Sequence, residues 1–374
     1  PFRGGAFTSL GETARTAEAV AWSSKDVYGH SGMTKKSLRV GIIGASGYTG
    51  AELLRLIAAH PHLELALATG DSMARRRVAD LYPSLATAYP DLTYSEFDLA
   101  EVSGLDLVVL GLPHEASMKL APQLIGEVGC LVDLSAAFRI KDATKYPEFY
   151  GFKHTQTDLL ADAVFGLPEL HRHELKGAPL IATPGCHVTA ATLALQPLVA
   201  ASLIESTGIV VNNVTGITGA GRTPTETNVF TNIDSNVMAY GLLRHRHTPE
   251  MEQEIGAQVT FTPHLAPMSR GILATCYARP AADCSADRLM ATMRDAYEGE
   301  PFTTVIDRPP ATKSVLGSNT AHVTARFDER TQTVITMCAI DNLTKGASGG
   351  AIQSANVALG LDETAGLATI GLAP

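Results

Sequence analysis

An α/β fold is what the sequence predicts: a doubly wound, Rossmann-type nucleotide domain plus a mixed α+β catalytic/dimerisation domain. Three observations carry that expectation. A short branched apolar run (38–43), a glycine turn (44–50) and an amphipathic stretch (51–57) follow one another without a break. Further apolar runs at 63–68, 106–112 and 130–135 read as buried parallel strands. After Pro184 the pattern stays mixed, with strand-like segments at 210–214 and 272–277. The nucleotide domain is expected over residues 33–183, rejoined by 345–374, and the second domain over 184–344.

Composition sets the bounds. A chain of 374 residues is long enough for two cores. Its 45% hydrophobic and 18% charged residues describe an ordinary globular protein. The net charge of −9 argues against a nucleic-acid partner, which needs a basic field. Cysteines at 130, 186, 276, 284 and 338 show neither zinc-ligand nor disulfide spacing. That suits a reducing, cytoplasmic compartment. No apolar run reaches the length of a bilayer span, so no membrane partner is expected. Residues 1–32 lack periodicity and read as a leader or expression-derived extension, poorly ordered apart from a short helix near 14–22, with Met33 as the natural start. Glu12, Glu18 and Asp26 count against a transit peptide, which is acid-poor.

The nucleotide half is read in order. Leu38 to Ile43 is the first strand. Gly44, Gly47 and Gly50 then form a G-x-x-G-x-x-G variant of the dinucleotide fingerprint, in the strand–turn–helix context that fingerprint requires. Gly44, Ser46, Gly47, Tyr48, Thr49 and Gly50 are therefore candidates to approach a pyrophosphate at a helix N-terminus. Such a turn also joins strand to helix where no ligand binds. The second strand, Leu63 to Ala68, ends where ribose is read. Asp71 there would favour NAD, while Ser72 with Arg75, Arg76 and Arg77 would hold a 2′-phosphate and favour NADP(H), the reading adopted. Pro113 ends the third strand at the cofactor edge of the sheet. Ser135 and Arg139 follow the fourth.

The second half opens on Thr183-Pro184-Gly185-Cys186-His187, where a Pro-Gly turn leads into an Ala/Leu-rich helix. A thiol at a helix start meets free N–H groups and the positive dipole end, which favour thiolate, so Cys186 is a candidate nucleophile. Most free cysteines are inert small hydrophobes, which is the competing reading. Thr215 to Arg222 combines three glycines with an arginine, as in an oxyanion or phosphate cradle. His245-Arg246-His247 precedes a helix with Thr248 as cap and Pro249 at its first position. Two histidines two residues apart do not make a helical metal pair, so a base and an anion binder are expected, and no metal. Residues 261–267 and 269–271 read as a loop and strand entry. Asp341 to Gly350 leads into a small-residue helix over 351–359 that would return to the nucleotide domain.

Together the segments GASGYTGAEL (44–53), LPHE (112–115), DLSAAFR (133–139), FGLPEL (165–170), TPGCHVT (183–189), TGAGR (218–222), HRHTPE (245–250), FTPHLAPMSRGI (261–272) and DNLTKGASGGA (341–351) resemble the N-acetyl-gamma-glutamyl-phosphate reductase family. The resemblance runs over nearly all of the chain from about Arg39. It implies NADPH-dependent reduction of N-acetyl-glutamyl 5-phosphate to N-acetyl-glutamate 5-semialdehyde, with phosphate release, through a Cys thioester in arginine biosynthesis. It matches Cys186 to the nucleophile and His247 to the general acid/base. Arg139, Arg222, Tyr240, His245 and Glu250 match or neighbour substrate-contacting positions, and Asn342 and Lys345 match a segment on the nicotinamide side. A homodimer or homotetramer is also implied. The chain departs from the family pattern in having His187-Val188 where Tyr-Pro is common, Thr218 for Ser and Gly350 for Gln. His247 is preferred over His187 as the base because His187 would point along the new helix rather than across the cleft. The competing functions are reduction of another acyl phosphate, in the manner of aspartate-semialdehyde dehydrogenase, a non-catalytic NADP-binding regulator, and a Cys–His hydrolase. The regulator would show a Cys186 alkylated no faster than free cysteine.

Overall fold

Branched apolar residues build the first sheet. Its strands are β1 (Leu38–Ile43), β2 (Leu63–Ala68), β3 (Leu107–Leu110), β4 (Cys130–Asp133), β5 (Val164–Phe165) and β6 (Leu180–Ala182). All pairings are parallel and the order is β2-β1-β3-β4-β6-β5. Every residue of β3 and β4 is buried, as expected when helices cover both faces. On one face α1 (Tyr48–Ala58) contributes Leu53, Leu54 and Ile57 to a core shared with Val40 and Val109. On the other, α2 (His114–Leu124) packs Met118, Ala121 and Leu124 against Val108 and Leu131. The sheet is therefore doubly wound. Strand order reverses between β1 and β3, and a crevice opens outside the carboxyl ends of the strands at that point.

The chain leaves this sheet through α3 (Pro168–Leu175), β6 and the turn Thr183-Pro184-Gly185, and enters α4 (Cys186–Ala200). That helix is apolar on all sides, because it is buried against a second sheet and against α5 (Thr248–Ile255). The second sheet holds β7 (Ile209–Gly216), β8 (Met238–Ala239), β9 (Val259–Ala266), β10 (Ile272–Ala278), β11 (Thr303–Val305), β12 (Ala321–Asp328) and β13 (Thr333–Ile340). Its order is β11-β12-β13-β10-β7-β9-β8, with β7–β9 and β11–β12 parallel and the rest antiparallel. One face of β7 and β10 alternates into the core and is covered by α4, with α6 (Ala286–Ala296) beside it. The chain then returns through a π-helical turn, Thr344–Ser348, to α7 (Gly349–Ala358). Ala351, Ile352 and Ala355 of α7 join the core of the first sheet.

The computed structural model describes residues 37–282 and 284–373, which fall within one contact unit, Ser37–Pro374. The expected leader, with its helix near 14–22, lies outside the described residues. Among them no helix is long and apolar enough to cross a membrane.

Two local expectations need correction. The segment 261–267 is not a loop. It forms most of β9, although Pro263 stands within it. The proline is tolerated because β9 lies one strand from the edge, beside a two-residue strand, and the Pro263 carbonyl is used by the N–H of Tyr240 (3.1 Å). Helix α5 begins at Thr248 rather than being capped by it. His247 occupies the cap position and Pro249 is the second helical residue.

Candidate active site

The glycine turn has the shape a pyrophosphate needs. Gly44 adopts φ +88°, and a Cβ there would strike the Gly111 carbonyl oxygen at 2.5 Å. At Gly50 a Cβ would meet the Ala45 oxygen at 2.2 Å, so glycine is what allows α1 to pack so closely. At Gly47, between them, a Cβ would face open space. Gly47 is also the N-cap of α1 and offers no side-chain cap, which leaves helix N–H groups for an anion. Tight turn, open approach and close packing are the three tasks of a dinucleotide turn, so these residues fit that cofactor. Ser72, Arg75 and Arg76 lie exposed just beyond β2, and Arg75 pairs with Glu96 at 3.0 Å. Pro113 caps α2, and its neighbour His114 lines the crevice.

A cavity of about 290 Å³ runs from this turn to the sulfur side of α4. It is lined by Gly47, Tyr48 and Thr49 of that turn and by Cys186 and His247, and Arg139, Arg246, His114 and Arg222 supply donors. A second cavity, of about 220 Å³, opens on the other side of Cys186 and His247 and is lined by His187, Tyr240, His245, Thr227 and Met238. The two cavities therefore share the thiol and the imidazole.

Cys186 is the first residue of α4, preceded by Gly185 as N-cap. The thiol is nevertheless not acidified in the free protein. Burial pushes its pKa up, against the lowering pull of Arg139, the His187 N–H and Arg246. Burial therefore works against the thiolate that the helix position favours. His247 is held well below the ordinary histidine range by burial, by His245 and His187, and by Arg139 and Arg246. It is a neutral imidazole with a buried Nδ1 that has no partner. A protonated thiol beside a neutral imidazole is a pair in which the proton must move before sulfur can attack.

Glu250 explains how the turn is held. Its Oε1 accepts from the Gly185 N–H at 2.7 Å, and its Oε2 lies 3.4 Å from Nη1 of Arg139. Arg139 donates from Nη2 to the Leu134 carbonyl at 2.8 Å, while its Nε is buried without a partner. Tyr150 donates to the Arg246 carbonyl at 2.8 Å, fixing the loop that carries both histidines. His114 accepts at Nδ1 from the Ala136 N–H, which leaves its proton on Nε2, only 3.1 Å from Nη1 of Arg246. Two donors face each other there.

Several expected site residues are engaged elsewhere. Lys345 has its charge engaged within the protein. Its side chain is 1% exposed, and Nζ donates to Glu169 at 2.5 Å and to Gln353 at 2.7 Å. Ser135 spends its hydroxyl on Asp133 (2.7 Å) and accepts from the Ala137 N–H, which pins the turn after β4. Glu250 is fully buried and touches Gly185 and Arg139 rather than a cavity. Asn342 lines the first cavity, but its amide ties Gly271 N to the Thr218 hydroxyl. Arg222 stands on the glycine-turn side, where its charge acts on Tyr82 and Tyr94. Sequence reasoning left out His114 and the specific place of Arg246. The signal for His114 was available in its position just past a strand end of the nucleotide sheet.

Two family models match the chain. One, described as semialdehyde dehydrogenase, NAD binding domain, covers residues 39–178, and the other, described as semialdehyde dehydrogenase, dimerisation domain, covers 186–342. The N-acetyl-gamma-glutamyl-phosphate reductase of Pelotomaculum thermopropionicum is 43% identical over 90% of this chain and 100% of its own length. That of Desulforudis audaxviator is 44% identical, with the same coverage. Among solved structures, aspartate semialdehyde dehydrogenase II of Vibrio cholerae, complexed with ASA, superposes with a TM-score of 0.64 at 19% identity, over 86% of this chain and 98% of that one. The aspartate semialdehyde dehydrogenase with NADP from Candida albicans gives 0.63 at 15% identity, again over 86% and 98%. These structural likenesses show a shared fold.

Proposed function

From the premise that the chain belongs to the N-acetyl-gamma-glutamyl-phosphate reductase family, we infer the following reaction and residue roles. The enzyme reduces N-acetyl-glutamyl 5-phosphate to N-acetyl-glutamate 5-semialdehyde in arginine biosynthesis, releasing phosphate, with NADP(H) as cofactor. The observation that carries the residue roles is that Cys186 and His247 stand where two cavities meet, one bordered by the dinucleotide turn and the other not.

Gly44 to Gly50 and the α1 N-terminus would hold the dinucleotide's pyrophosphate, and Ser72, Arg75 and Arg76 would hold its 2′-phosphate. The acyl phosphate straddles Cys186. Arg139, Arg246 and His114 take its phosphate, and the acyl chain enters the cavity of Tyr240 and His245. His247 removes the thiol proton as sulfur bonds to the acyl carbon, and the carbon–oxygen bond to phosphate breaks. The N–H groups at the start of α4 hold the developing oxyanion. The bound cofactor supplies the hydride that reduces the thioester carbon. His247 returns its proton to the thiohemiacetal oxygen, then takes it back as the carbon–sulfur bond breaks, and the semialdehyde leaves. Glu250 is a positioning residue here, holding the Gly185 turn and Arg139.

We also propose the domain division 33–183 plus 345–374 and 184–344, a cytoplasmic location and a homodimer or homotetramer. The match to a dimerisation-domain model supports a homo-oligomer of some order. The decisive assay is phosphate-dependent oxidation of N-acetylglutamate semialdehyde with NADP and with NAD. Cys186→Ser is expected to lose turnover while NADPH still binds. Substantial turnover by that variant would count against covalent catalysis.

A further inference from the structure

His187 departs from the tyrosine that the family pattern leads one to expect, and the reaction above leaves it without a task. The ring is 2% exposed. Nδ2 of Asn213 lies 3.3 Å from the His187 carbonyl oxygen and 3.2 Å from its Nδ1. A carbonyl only accepts, so the amide must turn its nitrogen, not its oxygen, toward His187. Nδ1 then also accepts. Burial, with His245 and Arg246 adding to it, lowers the His187 pKa to about 3, so the ring is neutral and carries its single proton on Nε2. That N–H points at the Tyr240 hydroxyl oxygen, 2.9 Å away. The hydroxyl is thereby engaged as an acceptor. Among the described residues it makes no second hydrogen bond, so its own proton remains to be donated. Tyr240 and His187 both border the 220 Å³ cavity beside Cys186. His245 packs edge-on against both rings, at 5.5 and 5.7 Å between centroids, which limits the swing of the phenol.

We propose that His187 is a positioning residue for the substrate: its Nε2–H fixes the Tyr240 hydroxyl as an acceptor, so that the phenolic proton is offered into the cavity to an oxygen acceptor on the substrate's acyl chain. The proposal rests on the reading of Cys186 and its second cavity given above. It separates His187 from the thiol chemistry, because a ring whose only proton is committed to Tyr240 and whose other nitrogen is occupied by Asn213 has no site left to receive a proton from sulfur.

The test uses full-length His187→Gln, His187→Leu, Tyr240→Phe and the double variant His187→Leu/Tyr240→Phe. Each is assayed for phosphate-dependent oxidation of N-acetylglutamate semialdehyde, for NADP binding by protein fluorescence, and for melting temperature. Tyr240→Phe and His187→Leu are expected to raise KM for the semialdehyde about three- to tenfold, the size of one neutral hydrogen bond, with kcat within about twofold and NADP affinity unchanged. The double variant should be no worse than Tyr240→Phe. His187→Gln, whose side-chain N–H can reach the Nε2 position but cannot take up a proton, should restore a near-native KM. A kcat collapse in His187→Gln would overturn the proposal in favour of His187 as the thiol's base. Effects of the two single variants that multiply in the double would overturn it as well. If His187→Leu fails to fold, Tyr240→Phe still decides, since a native KM there removes the donor from the argument. A wild type that does not turn over the semialdehyde would overturn the underlying reading, and this inference with it.

Discussion

A single methyl group at Gly185 separates geometry from stability at this site. The residue has φ −64° and ψ 141°, where alanine is as comfortable as glycine, so Gly185→Ala carries no backbone penalty. Its N–H still reaches Glu250. The added Cβ, however, would arrive 2.4 Å from Nε2 of His247, 2.6 Å from Cδ2 and 2.8 Å from Cε1. To reach ordinary contact the imidazole must retreat by roughly 1 Å, the scale of misplacement that costs about 10²-fold in rate, or about 2.7 kcal/mol of transition-state stabilisation. The fold should tolerate the change at an overpacking cost of about 1–3 kcal/mol, because what must move is a side-chain end whose Nδ1 holds no partner. The assay is kcat/KM for semialdehyde oxidation beside the dissociation constant of NADP. A fall of about a hundredfold in the first, with the second unchanged, is expected. If kcat/KM stays within about threefold of wild type, His247 does not act from the position beside Gly185.

Three further outcomes are expected. Gly47→Ala places its methyl in open space, so melting temperature should hold while NADP affinity falls at least about tenfold, measured by fluorescence titration. Lys345→Met leaves Glu169 as a buried charge without its cation. A loss of about 3–5 kcal/mol in denaturant unfolding is expected, with KM for NADP in the surviving fold within twofold, whereas a large KM change without destabilisation would return Lys345 to the cofactor site. Glu52 is pushed up by burial, but Arg55 and Arg270 outweigh that and hold its pKa down to about 2. Its folded pKa lies below its unfolded value near 4.5, so its contribution, on the order of 3 kcal/mol, is complete above that value and is lost as pH falls toward 2. The stability gap between wild type and Glu52→Gln should therefore shrink between pH 5 and pH 3.

What the sequence disclosed, and what it concealed, divides along one physical line. Periodicity, glycine spacing and turn residues are local, and they placed β1, the Gly44–Gly50 turn, β2 and the start of α4 at Cys186. Partnerships between residues far apart in the chain left no local mark. Lys345 looked like a cation beside a glycine-rich entry, yet its charge is consumed by Glu169, 176 positions away. Glu250 was matched by the family resemblance to a position at or beside the substrate. It is instead drawn to the N–H of Gly185 at the start of a second helix, so one carboxylate serves two positive helix ends and a guanidinium at once. The thiol shows the same division: helix position is local and argued for acidity, while burial is a property of the assembled fold and prevails. Burial thus disfavours the charged form of both Cys186 and His247 in the free protein. Arg139 and Arg246 both lower the His247 pKa in the free protein, after burial, His245 and His187. On the proposed roles, an acyl phosphate seated against the two arginines would cancel their share of that field, and the base would strengthen as the electrophile arrives. An ionised sulfur standing in an empty site would have no such timing.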